Sequence, residues 1–315
     1  MVNNRIILIS NEPDSFRRIT ADISAVAELS IGDVPAGIQG SLYLFQNSRS
    51  VVQFNLAKYW KANPYNPDQY PYPRSDADNE FYFQIEGFYS FLPWQKTKVK
   101  TSSVTVEVYN GGGSTGSIIT EPLQNKRLKR YGFRLGISHS KLPVRITSQR
   151  DGLTQLRNSK GTLIEYTDEY STAGTTSLLS IGVQSRKQVR YRYDIVRKKE
   201  TTPHNTAYVR DLYFDLTYLA RLRYADIYDE EDKLNQDVYK DTYSIHVKDN
   251  PISPLGFRIG VQALHQGGKH LGIKIGAEFG CRYGINSSSF SFANTAIYYT
   301  KFSFGMILLP DPRKS

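Results

Sequence analysis

Charged side chains recur inside apolar segments of this chain at a spacing that gathers them on one face. Over 271–283, Lys274, Glu278 and Arg282 alternate with Leu271, Ile273, Ile275, Phe279 and Tyr283. The same parity argument assigns Arg134, Arg190, Arg192, Arg221, Arg223, Arg258 and Lys301 to polar faces, together with Glu86, Glu107, Asp194 and Asp215. Such a set can do two kinds of chemistry. Paired, the charges satisfy one another in an enclosed polar interior. Left in surplus, the cations would draw acidic solutes, and the guanidinium fork suits carboxylate or phosphate better than an ammonium does. The parity set holds nine cations against five anions, so a positive interior is expected.

Hydrolytic chemistry asks for a different pattern. A serine nucleophile and a histidine base on one strand must share a face, hence be two residues apart. Of the five histidines, His139, His204, His265 and His270 have no serine at that spacing, and Ser138 and Ser140 flank His139 but project to the opposite face; His246 has Ser244 at that spacing, within the long loop expected at 226–252. His265 and His270 fit turn positions. The chain is therefore read as non-enzymatic, with no catalytic residue. The acidic stretch Asp226, Asp229, Glu230, Glu231, Asp232 lacks the spacing and glycine of a calcium loop and reads as a solvated loop. The lone Cys281 reads as a small apolar residue. No metal or cofactor is expected.

Three basic clusters remain: Lys96, Lys98 and Lys100; Lys126, Arg127, Lys129 and Arg130; and Arg197, Lys198 and Lys199. With a net charge of +10, nucleic acid is one reading. The clusters flank strand ends, however, where lysine and arginine reach lipid phosphates. Lipid head groups are the expected partner, and nucleic acid is not.

The elements that position these residues are strands. Period-two alternation recurs throughout, and no amphipathic helix is evident. About thirteen segments are read, among them 80–91 and 102–110, 131–140 and 142–149, and 174–185 and 188–197. Several reach the ~9–11 residues of a tilted membrane-crossing strand, against ~5–6 in soluble proteins. Tyrosines sit at segment ends, as an interfacial girdle would place them: Tyr131, Tyr224, Tyr228, Tyr283, Tyr298 and Tyr299. The cassettes 132–137, 256–261 and 272–277 put Gly and a cation on one face and apolar residues on the other. Their glycines lie within strands, not in a turn opening a helix, so a dinucleotide fingerprint is excluded.

Composition points the same way. Only 39% of the chain is apolar, while 23 residues are Tyr, and a single Cys excludes an internal disulfide. That is a thin supply for a dry core, unless lipid serves as the apolar phase. The expected fold is all-β, an antiparallel transmembrane β-barrel of twelve or fourteen strands, one domain over 1–315 with long loops at 61–79, 111–130, 150–173 and 226–252. A soluble β-sandwich binding protein, which also alternates, is the alternative fold.

Segments 255–263 and 271–283, followed by the aromatic strand 295–308, resemble Gram-negative outer-membrane β-barrels. The Gly-apolar-basic-apolar-Gly cassettes resemble the poorly characterised barrels of Bacteroidetes. The resemblance is strongest over 174–308. It implies an exported protein in the bacterial outer membrane, in contact with its lipid and with lipopolysaccharide, and with other envelope proteins as further partners. Residues 1–10 contain only a short apolar run, so a signal peptide is expected to have been removed. One departure is the tail 309–315, which follows the last strand where many such barrels end on an aromatic residue. Two roles are open for such a barrel: a structural or accessory subunit of an envelope assembly, or a narrow channel for small anionic solutes with an Arg-rich lumen.

Overall fold

The computed structural model describes residues 5–12, 19–30, 35–45, 49–60, 82–109, 116–146, 156–157, 163–164, 170–197, 200–224, 227–228, 242–245, 254–266, 271–283 and 296–308. The main strands are β1 (Arg5–Ser10), β2 (Ile19–Ser30), β3 (Ala36–Phe45), β4 (Ser50–Trp60), β5 (Tyr82–Tyr109), β6 (Gly116–Ile146), β9 (Tyr170–Arg197), β10 (Glu200–Tyr224), β13 (Leu255–Gln266), β14 (Leu271–Tyr283) and β15 (Ala296–Leu308). Apart from β1, which pairs with β9, each pairs antiparallel with the next main strand in the chain, and β15 pairs back onto β2, from Tyr299 opposite Ser30 to Leu308 opposite Ala21. The pairing of β6 with β9 completes a closed ring of ten strands. Four short strands, β7 (Leu156–Arg157), β8 (Leu163–Ile164), β11 (Ile227–Tyr228) and β12 (Thr242–Ile245), form a small separate sheet.

The ring corrects the expected twelve or fourteen strands. Segments 80–91 and 102–110 are both parts of β5; 131–140 and the start of 142–149 belong to β6; 174–185 and 188–197 make up β9. These strands have 28, 31 and 28 residues, because they run on past the barrel wall as one continuous ladder. The break in the β5 pattern has a local cause. Register shifts by one residue between Phe91 and Trp94, and Pro93, which has no N–H to give a ladder, occupies that bulge. The stretch 111–130, expected as a loop, is strand from 116 onward. The two-sheet sandwich is overturned too, since one sheet closes on itself. The loop 61–79 lies outside the described residues, as does most of 226–252.

Alternation sorts the barrel inside out. Outward positions carry Leu212, Phe214, Leu216 and Tyr218 on β10, Leu271, Ile273, Ile275 and Phe279 on β14, and Phe302, Phe304, Met306 and Leu308 on β15, all exposed. Inward positions carry Asp22, Ser24, Gln84, Glu86, Arg134, Asp215, Arg258 and Lys274, all buried. The strand ends flanking the short intervals 46–48, 198–199 and 267–270 share one end of the barrel, the short-turn end, with β1 and the end of β15; those flanking the long intervals 61–81 and 284–295, and the short interval 31–34, share the other, the loop end.

From the short-turn end a sheet extends outward. Beyond Trp94, β5 continues for 15 residues to Tyr109, roughly 50 Å of strand. The β6–β9 ladder stops at Arg127 opposite Val189, and there β1 takes β6's place against β9, from Ser10 opposite Arg192 to Arg5 opposite Val196. Asn11 locks the junction. Its side-chain amide donates to the Gln124 carbonyl at 2.9 Å and accepts from the Lys126 N–H at 2.8 Å, as a strand backbone would.

Candidate functional site: the barrel interior and its rims

The interior is built from residues two apart on neighbouring strands, so each charge meets partners supplied by other strands. Asp215 on β10 is fully buried. Its Oδ2 accepts from Arg258 Nε at 2.7 Å and from Arg134 Nη1 at 3.1 Å. Arg258 reaches on to Glu86 Oε1 at 3.1 Å and to Ser180 Oγ at 3.0 Å. The Arg134 guanidinium lies 3.9 Å from the ring centres of both Phe88 and Tyr213. Glu278 accepts from the Tyr213 hydroxyl and from the Tyr299 hydroxyl, the latter at 2.7 Å. Lys301 donates to Gln84 Oε1 at 3.0 Å, and Asn55 donates to Glu86 Oε2 at 3.1 Å.

Two further knots lie toward the short-turn end. Lys274 Nζ donates to both oxygens of Asp22, at 2.8 and 3.0 Å, and to Ser41 Oγ at 2.7 Å. Arg186 grips Asp211 with two parallel bonds of 2.7 Å, the bidentate geometry that is strongest for this pair. Beyond them Val209, Leu264 and Ile307 form a buried apolar cluster. Toward the loop end Val26, Ala57, Tyr59, Tyr82, Leu142 and Ala173 form another. Between the two lies a polar cavity of about 40 Å³, lined among others by Arg134, Lys274, Lys301, Glu86 and Glu278.

Of the charges assigned to the lumen from sequence, Arg134, Arg258, Lys274, Lys301, Glu86, Asp215 and Glu278 are there. Arg190, Arg192 and Asp194 keep the inward parity but lie on the extension, past the barrel; Arg192 is half-exposed and 3.7 Å from Asp194. Arg221 and Arg223 are exposed, because a bulge between Leu219 and Arg221 shifts the parity of β10. The side chains of Glu107 and Arg282 lie outside the described residues. Sequence reasoning missed Asp22, Glu28, Arg130, Arg186 and Asp211, all buried. With them, the described interior holds Arg130, Arg134, Arg186, Arg258, Lys274 and Lys301 against Asp22, Glu28, Glu86, Asp211, Asp215 and Glu278. The signs balance, so the expected positive surplus is corrected.

Glycine and tyrosine answer each other across strands. Tyr213 is opposite Gly260, Tyr299 opposite Gly280 and Tyr59 opposite Gly37. A Cβ on Gly260 would lie 2.3 Å from the Tyr213 ring, so only glycine lets that ring lie over the neighbouring strand. Tyr299 thus faces the interior instead of joining an outer girdle. Gly260→Val is expected to cost about 1–3 kcal/mol by overpacking. Combined with Tyr213→Leu it should cost less than the two single changes added, measured by urea unfolding in lipid vesicles.

On the outside, Trp94 and Tyr131 are exposed at the short-turn end of the apolar belt. Arg127 and Lys129 follow on the same face as Tyr131, with the Lys129 ammonium 5.8 Å from the Tyr131 ring centre. Arg130 is corrected from head-group contact to interior residue: it is buried and donates to Gln188 Oε1 at 3.2 Å. Lys126 has Arg130's parity, not Lys129's, although it is exposed. Arg197, Lys198 and Lys199 have no described side chains.

Tertiary pairing also makes one contact that spacing could not show. His139 Nδ1 lies 3.0 Å from Ser177 Oγ on the adjacent strand, on the outward face near the loop end. Among the described residues no carboxylate or amide engages the other ring nitrogen.

No protein-family model matches the chain, and no curated protein does. Among solved structures it is similar to an anion-selective porin from Comamonas acidovorans, with 8% identity, 97% of this chain and 99% of that one covered, and a TM-score of 0.18. It is also similar to the CymD monoaromatic hydrocarbon channel, with 8% identity, 95% and 90% covered, and a TM-score of 0.24. A third is a Pseudomonas aeruginosa FadL homologue, with 8% identity, 92% and 89% covered, and a TM-score of 0.20. These scores are too low for any of the three to speak for function here.

Proposed function

We propose that the chain is an integral outer-membrane β-barrel that serves as a non-enzymatic, structural or accessory subunit of an envelope assembly. The observation that carries this reading is the inside-out sorting of a closed sheet: an exposed apolar exterior around a buried, charge-balanced interior. Exposed apolar surface on that scale is disfavoured in water and matched by lipid. Strands such as β14, with outward apolar residues from Leu271 to Phe279, have the length of a membrane crossing. By the usual arrangement of such barrels, the short-turn end faces the periplasm and the loop end the outside. The Gly-basic cassettes support kinship with the barrels of Bacteroidetes.

The interior favours the structural role over conduction. Buried matched ion pairs and an apolar cluster near the short-turn end support that reading, as in small barrels whose side chains occupy the lumen. The extended sheet supports an accessory role, because β5 beyond Phe91 lies outside β4's ladder and offers a strand edge to a partner. The second reading, a channel for small anions, rests on the cavity and its Arg134, Lys274 and Lys301. Planar-bilayer recording separates the two. Folded protein with heat-modifiable gel migration is expected to give no discrete conductance. Reproducible anion-selective steps, reduced by Arg258→Glu, would overturn the structural reading.

A further inference from the structure

We propose that the outer face at the short-turn rim is a binding row for anionic phospholipid head groups, made by Lys96, Lys129, Lys187 and Arg210. The inference rests on the membrane reading above and adds the lipid class and the residues that select it. Sequence alone does not show this row, because its members come from four strands. Register does. Lys96 is directly opposite Lys129, Lys129 opposite Lys187, and Lys187 opposite Arg210. Four cations therefore stand side by side across adjacent strands, and Lys98 opposite Arg127 begins a second row beside them.

Like charges directly opposite one another destabilise a sheet. Among the described residues, no carboxylate pairs with any of the four. Lys187 shows the consequence: its ammonium is held below the ordinary lysine range, first by burial and then by the charges of Arg127, Arg210, Lys100 and Lys129. An arrangement of this kind is stable when anions sit over it. The depth of the row says which anions. It lies two residues beyond Trp94 and Tyr131, about 7 Å past the aromatic edge of the apolar belt. Aromatic residues of that type sit at head-group level, so the next row meets the phosphates of the leaflet on the short-turn side.

The test uses the full chain in nanodiscs of phosphatidylcholine alone and of phosphatidylcholine with phosphatidylglycerol, reading Tm and lipid retention by native mass spectrometry. Wild-type protein is expected to melt higher in the anionic discs and to retain phosphatidylglycerol. In K129Q/K187Q that increment should vanish, with retention falling roughly fivefold for each lysine removed. In phosphatidylcholine alone, the double variant should be at least as stable as wild type, because a repulsion has been removed. Equal Tm for wild type in both discs, or an undiminished increment in the variant, would overturn the proposal. Protein that enters neither disc would instead overturn the membrane reading itself. A Tm rise with inorganic phosphate in detergent that matches the lipid effect would mean a free-phosphate site and also overturn it.

Discussion

Asp215→Ala is expected to cost about 3–5 kcal/mol of folding stability, the range for breaking a buried ion pair from one side. Asp215 is fully buried and holds two guanidiniums with one oxygen, Arg258 at 2.7 Å and Arg134 at 3.1 Å. Alanine leaves both cations in an interior with no replacement anion at that point. Arg258 keeps Glu86 at 3.1 Å, whereas among the described residues Arg134 keeps only the faces of Phe88 and Tyr213. Asp215→Asn retains an acceptor and should lose less. Combining Asp215→Ala with Arg134→Leu removes the stranded charge and should recover part of the loss. Urea unfolding in lipid vesicles and the fraction migrating as folded, heat-modifiable barrel both report it. Wild-type stability in Asp215→Ala would show that these pairs do not hold the interior together.

Ile275→Arg carries the second large effect, about 2–4 kcal/mol, because a charge at mid-depth on the lipid face must be pulled out of hydrocarbon. Ile275 is 56% exposed and lies toward the middle of β14. Leu271, also 56% exposed, stands at the short-turn end of the same strand, and Leu271→Arg should cost only about 0–1 kcal/mol near the interface. The depth dependence is the diagnostic part. A barrel standing in water would accept arginine at both positions, so equal small effects would contradict membrane insertion.

How much of this was legible in the residues can be followed strand by strand. Segment 271–283 alternates without interruption and coincides with β14. Its lumenal Lys274 and Glu278 follow from parity alone. Strand β5 was legible only in pieces, since Pro93 adds a residue and the alternation loses its phase. Segment 212–224 misled at its end for the same reason: one extra residue beyond Leu219 turns Arg221 and Arg223 outward. Arg130 and Lys129 are neighbours in one basic run, yet one is buried inside and the other meets the Tyr131 ring outside. A run of like charges says nothing about face, whereas the pleat assigns neighbours to opposite faces.

The abundance of tyrosine with little aliphatic residue pointed to an unusual interior, and part of that tyrosine lines it: Tyr43 and Tyr59 are fully buried, and Tyr213 and Tyr299 hold Glu278. Their glycine partners were visible as a repeat but not as partners, because Gly260 is 47 residues from Tyr213 along the chain and opposite it in the sheet.

The sequence by itself determined the all-β class, the long alternating strands and the polar face that carries Arg134, Arg258 and Lys274. These are properties of period two, which each strand carries locally. Only the tertiary structure decided the ten-strand closure, the balance of interior charge and the row of four cations at the rim. Strand number and cross-strand partners depend on register, and register is shared between segments far apart in the chain, so no single segment contains it.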